Sequence, residues 1–279
     1  MAERQASVRR WSPPGGVLGE LVAAANARAR VLEKSEGAGE TLRAGFPVPG
    51  AFVSALRRPG VGILAEIKRR SPSKGTLNEG IAAGPRAAEY AKGGAAALSV
   101  LTEPDRFGGS LDDLTAARRA VSIPVLRKDF IVHTAQLAEA RGAGAWAILL
   151  IARALDPVHA EELAAAATSF GLDVLFEIRD EAELDRALDI RGCAIGVNTR
   201  NLETLAVVPE VGERLVPMIP PDRVAVYESG VATRGDVERA AAVGADAVLV
   251  GSSLSRNPDG AAAVAALTGV PRIARGSRA

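Results

Sequence analysis

Short apolar runs alternate with helical segments along most of this 279-residue chain, and this alternation constrains its fold more than any other feature. Eight runs have the length and apolar character of short buried β-strands: 62–68, 96–101, 124–128, 146–151, 173–178, 194–198, 223–228 and 247–250. Most are separated by Ala-, Glu- and Arg-rich segments of helical period: 82–92, 110–120, 134–143, 156–170, 180–189 and 233–243. Strands that alternate with helices usually pair in parallel, so the pattern predicts a series of βαβ units.

Eight such units predict an α/β fold, the (β/α)8 TIM barrel, over residues 59–267. A doubly wound open sheet is the alternative arrangement of parallel strands. That fold would be expected to carry a glycine-rich dinucleotide fingerprint after its first strand, and the sequence has none there. The segment 201–222 is the least regular of the connections, and its structure is left open.

The sequence on either side of the barrel is shorter and less regular. Residues 1–58 predict an N-terminal arm and a helical extension, which we divide as follows: a mobile arm over 1–16, a helix over 17–35, a loop over 37–50 and a helical turn over 52–58. Residues 268–279 predict a mobile C-terminal tail.

Composition excludes several classes of protein. A net charge of +1 gives no overall field that would favour nucleic acid or a membrane surface. The single cysteine, Cys193, cannot form an internal disulfide or a cysteine-based metal cluster and fits a reducing compartment. No apolar run reaches the roughly 18 residues of a membrane span. We therefore expect a cytoplasmic protein with neither a nucleic-acid nor a membrane partner.

The first predicted strand ends in charged residues within the sequence GILAEIKRRSPSKG, residues 62–75. Because side chains alternate along a strand, Glu66 and Lys68 share one face. Burying them costs several kcal/mol unless they pair or lie in a solvated cavity. A structural ion pair, or a strand that ends one residue early, would also explain them. The loop that follows, which begins at Ser71, is rich in hydroxyls and cations and suits an anion.

Other predicted strands end in the same way. Polar groups close the third, fifth, sixth and seventh strands at Lys128, Glu177, Asn198 and Glu228. In a TIM barrel the carboxyl ends of the strands form the active site. These groups should therefore converge with Glu66 and Lys68 in one catalytic mouth.

Two glycine- and serine-containing turns follow the last two strands, at Ser229-Gly230 and at Gly251-Ser252. Loops in these positions commonly bind phosphate in barrels, because glycine lets backbone N–H groups approach the anion. Arg200, after the sixth strand, could add a charge-assisted contact or simply cap the barrel rim.

Several motifs together resemble the indole-3-glycerol phosphate synthase family of tryptophan biosynthesis. They are AEIKRRSPSKG (65–75), LSVLTEPDRFGGSLDDL (98–114), PVLRKDFIV (124–132), LFEI (175–178), IGVNTRNLETL (195–205), and ESG (228–230) with GADAVLVGSSL (244–254). The resemblance implies a TIM barrel whose N-terminal helical extension covers the catalytic mouth, with no metal and no cofactor. It also implies a phosphorylated substrate, 1-(2-carboxyphenylamino)-1-deoxyribulose 5-phosphate. That substrate is cyclised, decarboxylated and dehydrated.

The resemblance also implies a role for each site residue. Lys128 would be the general acid of ring closure, with Glu177 as its charged neighbour and proton-transfer partner. Lys68 would hold the anthranilate carboxylate, and Glu228 would be a further active-site carboxylate. Glu66, oriented by Asn198, would be the base of dehydration. Phosphate binding falls to Ser71, Arg200, Ser229, Gly230, Gly251 and Ser252, and the aromatic ring would lie among Phe107, Phe130, Leu149 and Ile151.

Crowded charges in one cavity separate pKa values, and on this ground we expect a lysine that titrates near neutrality. Two other functions stay open: another phosphate-binding barrel enzyme, such as a sugar-phosphate isomerase, and a non-catalytic barrel scaffold. We expect a monomer or a weak homodimer.

Overall fold

The computed structural model describes residues 11–34 and 48–276 of the chain. Its centre is a closed barrel of eight parallel strands. In chain order these are β1 (Gly62–Ile67), β2 (Ala97–Leu101), β3 (Val125–Lys128), β4 (Ala147–Ile151), β5 (Asp173–Ile178), β6 (Ala194–Asn198), β7 (Ala225–Glu228) and β8 (Ala247–Val250). Consecutive strands are neighbours and β8 pairs with β1, so the sheet has no free edge.

The strands are buried on both faces, which explains why they are nearly continuous apolar runs. The register at closure pairs Gly62 with Ala247, and Leu64 with both Leu249 and Ala97. The predicted TIM barrel is confirmed, and each predicted strand lies within two residues of an observed one.

Helices surround the barrel. Those that precede or join the strands are α1 (Gly16–Lys34), α2 (Ala51–Leu56), α3 (Ala83–Lys92), α4 (Leu111–Ala120), α5 (Ala135–Gly142), α6 (Pro157–Ser169), α7 (Glu181–Asp189), α8 (Pro209–Leu215) and α9 (Arg234–Ala242). After β8 come α10 (Ser252–Arg256) and α11 (Gly260–Ala265). The irregular segment 201–222 contains α8 and a 3-10 turn over Val216–Met218. In the described ranges, no helix has the length and apolarity that crossing a bilayer requires.

Helix α1 lies across the carboxyl ends of the strands. Leu18, Leu21, Ala25 and Ala29 recur at helical spacing and are its buried residues. The chain just before it is tied to the loop after β6, where Glu203 Oε1 accepts a hydrogen bond from the backbone N–H of Gly15 at 3.1 Å.

Helix α2 lies at the opposite end of the barrel. The carboxylate of Asp173, the first residue of β5, accepts hydrogen bonds from the backbone N–H groups of Gly50 (2.7 Å) and Phe52 (2.9 Å). Phe52 itself is fully buried. The extension predicted to lie over the mouth as one unit is therefore divided: α1 is at the mouth, and α2 closes the floor because an acid there binds its N-terminal N–H groups.

The segment after α11 is bonded to the barrel floor. Arg272 and Arg275 form ion pairs with the two oxygens of Asp246, at 2.9 and 2.7 Å, and Val270 is buried. These contacts hold residues 270–275 of the predicted tail against the barrel. The predictions for residues 1–10, 35–47 and 277–279 lie outside the described residues.

Candidate active site

A cavity of about 580 Å³ opens at the carboxyl ends of the strands, beneath α1. All the predicted site residues except Glu228 line it. Of the predicted catalytic residues, the lining includes Glu66, Lys68, Lys128, Glu177 and Asn198. Of the predicted binding residues, it includes Ser71, Phe107, Phe130, Leu149, Ile151, Arg200, Ser229, Gly230, Gly251 and Ser252.

Two lysines and three buried carboxylates form the charged centre of the cavity. Lys68 Nζ lies 2.5 Å from Glu66 Oε1, and Lys128 Nζ lies 3.5 Å from Glu66 Oε2. Lys128 Nζ also donates a hydrogen bond to Glu228 Oε2 at 3.2 Å. Glu228 is buried and lies behind Lys128, so it acts on the cavity through that ammonium group.

Two glycines, Gly196 within β6 and Gly251 directly after β8, make room for these carboxylates. A Cβ on Gly251 would lie 2.2 Å from Glu66 Oε1, and a Cβ on Gly196 would lie 2.0 Å from Glu228 Oε1. Gly251, predicted as a phosphate contact, therefore also accommodates Glu66. Gly196 was not singled out from the sequence, although a glycine inside a strand is a signal of close approach.

Burial raises the pKa of each carboxyl and the lysines lower it, and the balance differs from one carboxyl to the next. Burial alone would raise the pKa of Glu66, but the ammonium groups of Lys68 and Lys128 hold it below its usual range. Burial raises the pKa of Glu228 to about 8, with the Lys128 charge opposing and the Glu177 charge reinforcing it. Burial likewise raises the pKa of Glu177, and Lys128 opposes this.

The expectation of a lysine that titrates near neutrality is wrong for Lys128. Burial would lower its pKa, but the surrounding carboxylates, Glu228 first and then Glu66 and Glu177, raise it above its ordinary value. The group near neutrality is a carboxyl, Glu228, because three acids share the positive charge of two lysines.

Asn198 does not orient Glu66, contrary to the prediction. Its Oδ1 accepts hydrogen bonds from Ser229 Oγ at 2.8 Å and from the backbone N–H of Arg200 at 2.9 Å. The Asn198 side chain also favours the ionised form of Glu177, which lowers the pKa of that acid. Asn198 thus links the acid on β5 to the loop after β7, while the two lysines hold Glu66.

One side of the cavity is suited to an anion. Ser229 and Gly230 both have a left-handed backbone, with φ of 70° and 77°, a conformation that is uncommon for serine. Arg200 lines this side, and burial lowers its pKa. Lys74 and Arg256 also line the cavity and were not assigned from the sequence. Burial first, and then the positive charges of Arg256, Arg200 and Lys68, lower the pKa of Lys74.

The other side is apolar. The rings of Phe107 and Phe130 lie 6.4 Å apart between centroids, and Leu149 and Ile151 continue the surface along β4. The sequence analysis missed further apolar lining residues: Val17, Leu21, Leu202 and Val231.

Helix α1 is tied to the loops that carry these side chains. Arg28 forms an ion pair with Asp129, adjacent to Lys128, at 3.3 Å and approaches Glu103 at 3.7 Å. Glu103 accepts hydrogen bonds from the backbone N–H groups of residues 105–107, which fixes the loop that carries Phe107. Nothing in the sequence indicated that Arg28 would contact Asp129 and Glu103, which lie far from it along the chain.

Comparisons with known proteins agree with this geometry. A sequence model of the indole-3-glycerol phosphate synthase family matches residues 9–267. Indole-3-glycerol phosphate synthase of Opitutus terrae is 48% identical over 231 residues, covering 80% of this chain and 87% of the relative. The enzyme of the same name from a Nocardioides species is 50% identical over 215 residues, covering 77% and 83%.

Solved structures share the fold at low sequence identity. 3-Hexulose-6-phosphate synthase of Salmonella typhimurium has a TM-score of 0.60 and 16% identity, and covers 74% of this chain and 96% of its own. Thiamine phosphate pyrophosphorylase of Pyrococcus furiosus has a TM-score of 0.55 and 14% identity, with 74% and 93% coverage. These likenesses support the barrel alone.

The family match spans nearly the whole chain, and the motifs that carry it surround the charged cavity. The protein chain belongs to the indole-3-glycerol phosphate synthase family, a family of carboxy-lyases, and its activity is indole-3-glycerol phosphate synthesis in tryptophan biosynthesis.

Proposed function

We propose that the substrate spans the cavity, with its phosphate on the cationic side and its aromatic ring on the apolar side. The observation that carries this orientation is the asymmetry of the cavity: Arg200, Lys74 and the Ser229-Gly230 turn lie on one side, and Phe107 and Phe130 on the other. Anchoring both ends would hold the carbonyl and the ring carbon in a reactive arrangement and lower the entropic barrier.

In this arrangement Lys128 acts at the ring-closure step. As the ring carbon attacks, electron density moves onto the substrate carbonyl oxygen, and an adjacent ammonium stabilises that charge and donates a proton. The raised pKa of Lys128 keeps the group charged at neutral pH. Glu228 and Glu177 then return the proton to Lys128, since burial raises the pKa of both carboxyls.

Lys68 holds the substrate carboxylate before it leaves as CO₂. Its partner in the free enzyme is Glu66, at 2.5 Å, so the incoming carboxylate competes with Glu66 for the same ammonium. This competition frees Glu66 to act as the base of dehydration, and the two lysines keep the pKa of Glu66 low enough for it to be ionised.

We also propose that α1 forms the roof of the ring site, because Val17 and Leu21 line the cavity and Arg28 joins the helix to Asp129. Catalysis in this scheme uses side chains alone, and among the described residues no group of three or more His, Cys, Asp or Glu side chains is placed to hold a metal ion. The buried free thiol of Cys193 fits action in the cytoplasm, and we expect a monomer or a weak homodimer.

The test is to add 1-(2-carboxyphenylamino)-1-deoxyribulose 5-phosphate to the purified protein and follow indole absorbance and fluorescence. The orientation predicts that Arg200→Met raises KM severalfold and that Phe130→Ala does so as well. Only Arg200→Met should abolish competition by inorganic phosphate. Equal competition by phosphate in both variants would contradict the proposed orientation.

A further inference from the structure

A second cavity, of about 180 Å³, lies behind the active site. Glu177 lines both cavities, so it separates the reaction chamber from this side cavity. The wall of the side cavity is charged, with Arg153, Asp180, Glu183 and Glu203 among its residues. Since a water molecule occupies about 30 Å³ in the liquid, a polar cavity of this size has room for several.

The chemistry of the family reaction requires a supply of protons. The substrate carboxylate leaves as CO₂, and its bonding electrons stay with the ring. A hydroxyl group leaves as water, which requires a proton that the departing CO₂ does not provide. Each turnover of an ionised substrate therefore consumes one proton from solvent, and the buried groups of the site must be recharged each time.

The side cavity provides a gradient of exposure from the reaction centre to the surface. Glu177 is 2% exposed, Glu183 is 8% exposed, and Asp180 at the start of α7 is exposed. Arg153 and Glu203, which form an ion pair at 2.8 Å, are each about one-third exposed. The side cavity thus extends from a buried acid at the active site to partly exposed charged groups.

Glu183 is the buried acid on this path. Its Oε2 accepts a hydrogen bond from the backbone N–H of Arg179 at 2.7 Å, and its own N–H donates to Asp180 Oδ1 at 2.9 Å. These contacts stabilise the start of α7, a structural role that a glutamine could fill equally well. A carboxyl group is not required for that role.

We propose that the side cavity is the route by which solvent protons reach Glu177, and that Glu183 relays them across it. Glu183 acts through Glu177 and does not touch the substrate. The proposal rests on the proposed role of Glu177 as a proton-transfer partner, and it adds a source for the proton which that role requires.

The charges around Glu183 suit a relay. Burial and the nearby Asp180 carboxylate raise its pKa to about 7, while the Arg179 N–H and the cations Arg186 and Arg153 oppose the rise. A carboxyl with this pKa exchanges protons readily at neutral pH. Glu183 in turn raises the pKa of Glu177, so the two acids interact electrostatically.

The test compares Glu183→Gln with Asp156→Asn in the full-length enzyme. Asp156 caps α6 as Asp180 caps α7, accepting from the His159 N–H at 3.1 Å, but it does not line the side cavity. Glu183→Gln should keep KM and Tm and lower kcat about tenfold, less than the ~10²-fold loss expected for a direct acid–base partner. Adding imidazole buffer should restore kcat in Glu183→Gln and leave kcat of Asp156→Asn unchanged.

Glu183→Ala provides a second measurement. It loses the hydrogen bond to the Arg179 N–H, so Tm should fall, but it widens the side cavity and should respond more strongly to imidazole. Wild-type kcat in Glu183→Gln, or a reduced kcat that imidazole leaves unchanged, overturns the relay. Glu177→Gln separates the two claims: if it is inactive while Glu183→Gln is normal, Glu177 keeps its role and only the relay fails.

Discussion

The mouth and the floor of the barrel hold their carboxylates in different ways. At the floor, Asp246 is matched by two arginines and by the backbone N–H of Ala225, and Asp173 by the N-terminal N–H groups of α2. At the mouth, Glu66, Glu177 and Glu228 share the charge of two lysines. Fully matched charges hold a fold together, whereas imperfectly matched charges keep groups ready to exchange protons.

Lys128 and Arg275 test the comparison most strongly. Lys128→Ala should lower kcat by at least ~10²-fold, because it removes the proton donor of ring closure. Its Tm should fall only modestly, since Glu228 can take up a proton when its cation is lost. Arg275→Ala should do the reverse, with kcat kept and about 3–5 kcal/mol of stability lost, because it breaks a buried ion pair.

The measurement is kcat and Tm on the same preparation of each variant. A Lys128→Ala enzyme that is destabilised yet fully active would remove the catalytic role of Lys128. An Arg275→Ala enzyme that folds normally but loses activity would contradict the claim that charges at the floor serve stability and charges at the mouth serve catalysis.

Two glycine-to-alanine substitutions sharpen the comparison, because each adds one methyl group, one at the mouth and one at the floor. Gly251→Ala should lower kcat about 10- to 100-fold, because its Cβ would displace the Glu66 carboxylate, and a 1 Å displacement can cost ~10²-fold. Gly62→Ala is the matched control at the floor, where the nearest atoms to a new Cβ lie at 3.4 Å. Steady-state kinetics should show near-normal activity for the control, and equal losses in both variants would contradict the steric argument.

Deleting the first ~45 residues tests the two parts of the extension. The deletion removes α1 but keeps α2, so we expect KM to rise about tenfold while the barrel still folds. Phe52→Ala changes α2 instead and should cost about 3–5 kcal/mol of stability with KM unchanged. Circular dichroism and kinetics on both proteins decide the matter, and an unaltered KM in the deletion would refute the role of α1.

The smallest expected effect is on the pH dependence of stability. Because the folded-state pKa of Glu228 is raised to about 8, the native state holds more protons than the unfolded state between pH 4.5 and 8. Stability should therefore fall as pH rises through this window and then level off. In urea titrations, Glu228→Gln should flatten the slope by about 1 kcal/mol per pH unit, and a slope as steep as that of wild type would show that Glu228 is not responsible.

The sequence predicted where the charged side chains would meet but not every hydrogen-bond partner among them. The alternation of strands and helices was enough to predict that Glu66, Lys68, Lys128 and Glu177 meet at one mouth. All four stand near the carboxyl ends of their strands, and parallel strands place those ends on the same side of the barrel. The partner of Asn198 depends on side-chain rotamers and was predicted wrongly.

Contacts between segments far apart in the chain could not be predicted from the sequence pattern either. The position of α2 depends on Asp173, more than a hundred residues away in the chain. Arg28 and Arg256 reach the mouth region from helices, and helical spacing alone does not show which part of the fold a side chain will contact. Gly196 shows what could have been found, since a glycine within a strand marks a site of close approach.

The hydrogen bond from the Val61 N–H to the Val270 carbonyl, at 2.8 Å, joins the beginning and the end of the barrel at its floor. A tag, surface linker or second enzyme attached after Gly276 would therefore emerge below the floor, on the side away from the substrate. An attachment ahead of Trp11 would instead emerge beside the opening, since Trp11 Nε1 donates to the carbonyl of Arg153. For immobilisation or for artificial enzyme fusions, the C-terminal side of this chain is the one that leaves the mouth clear.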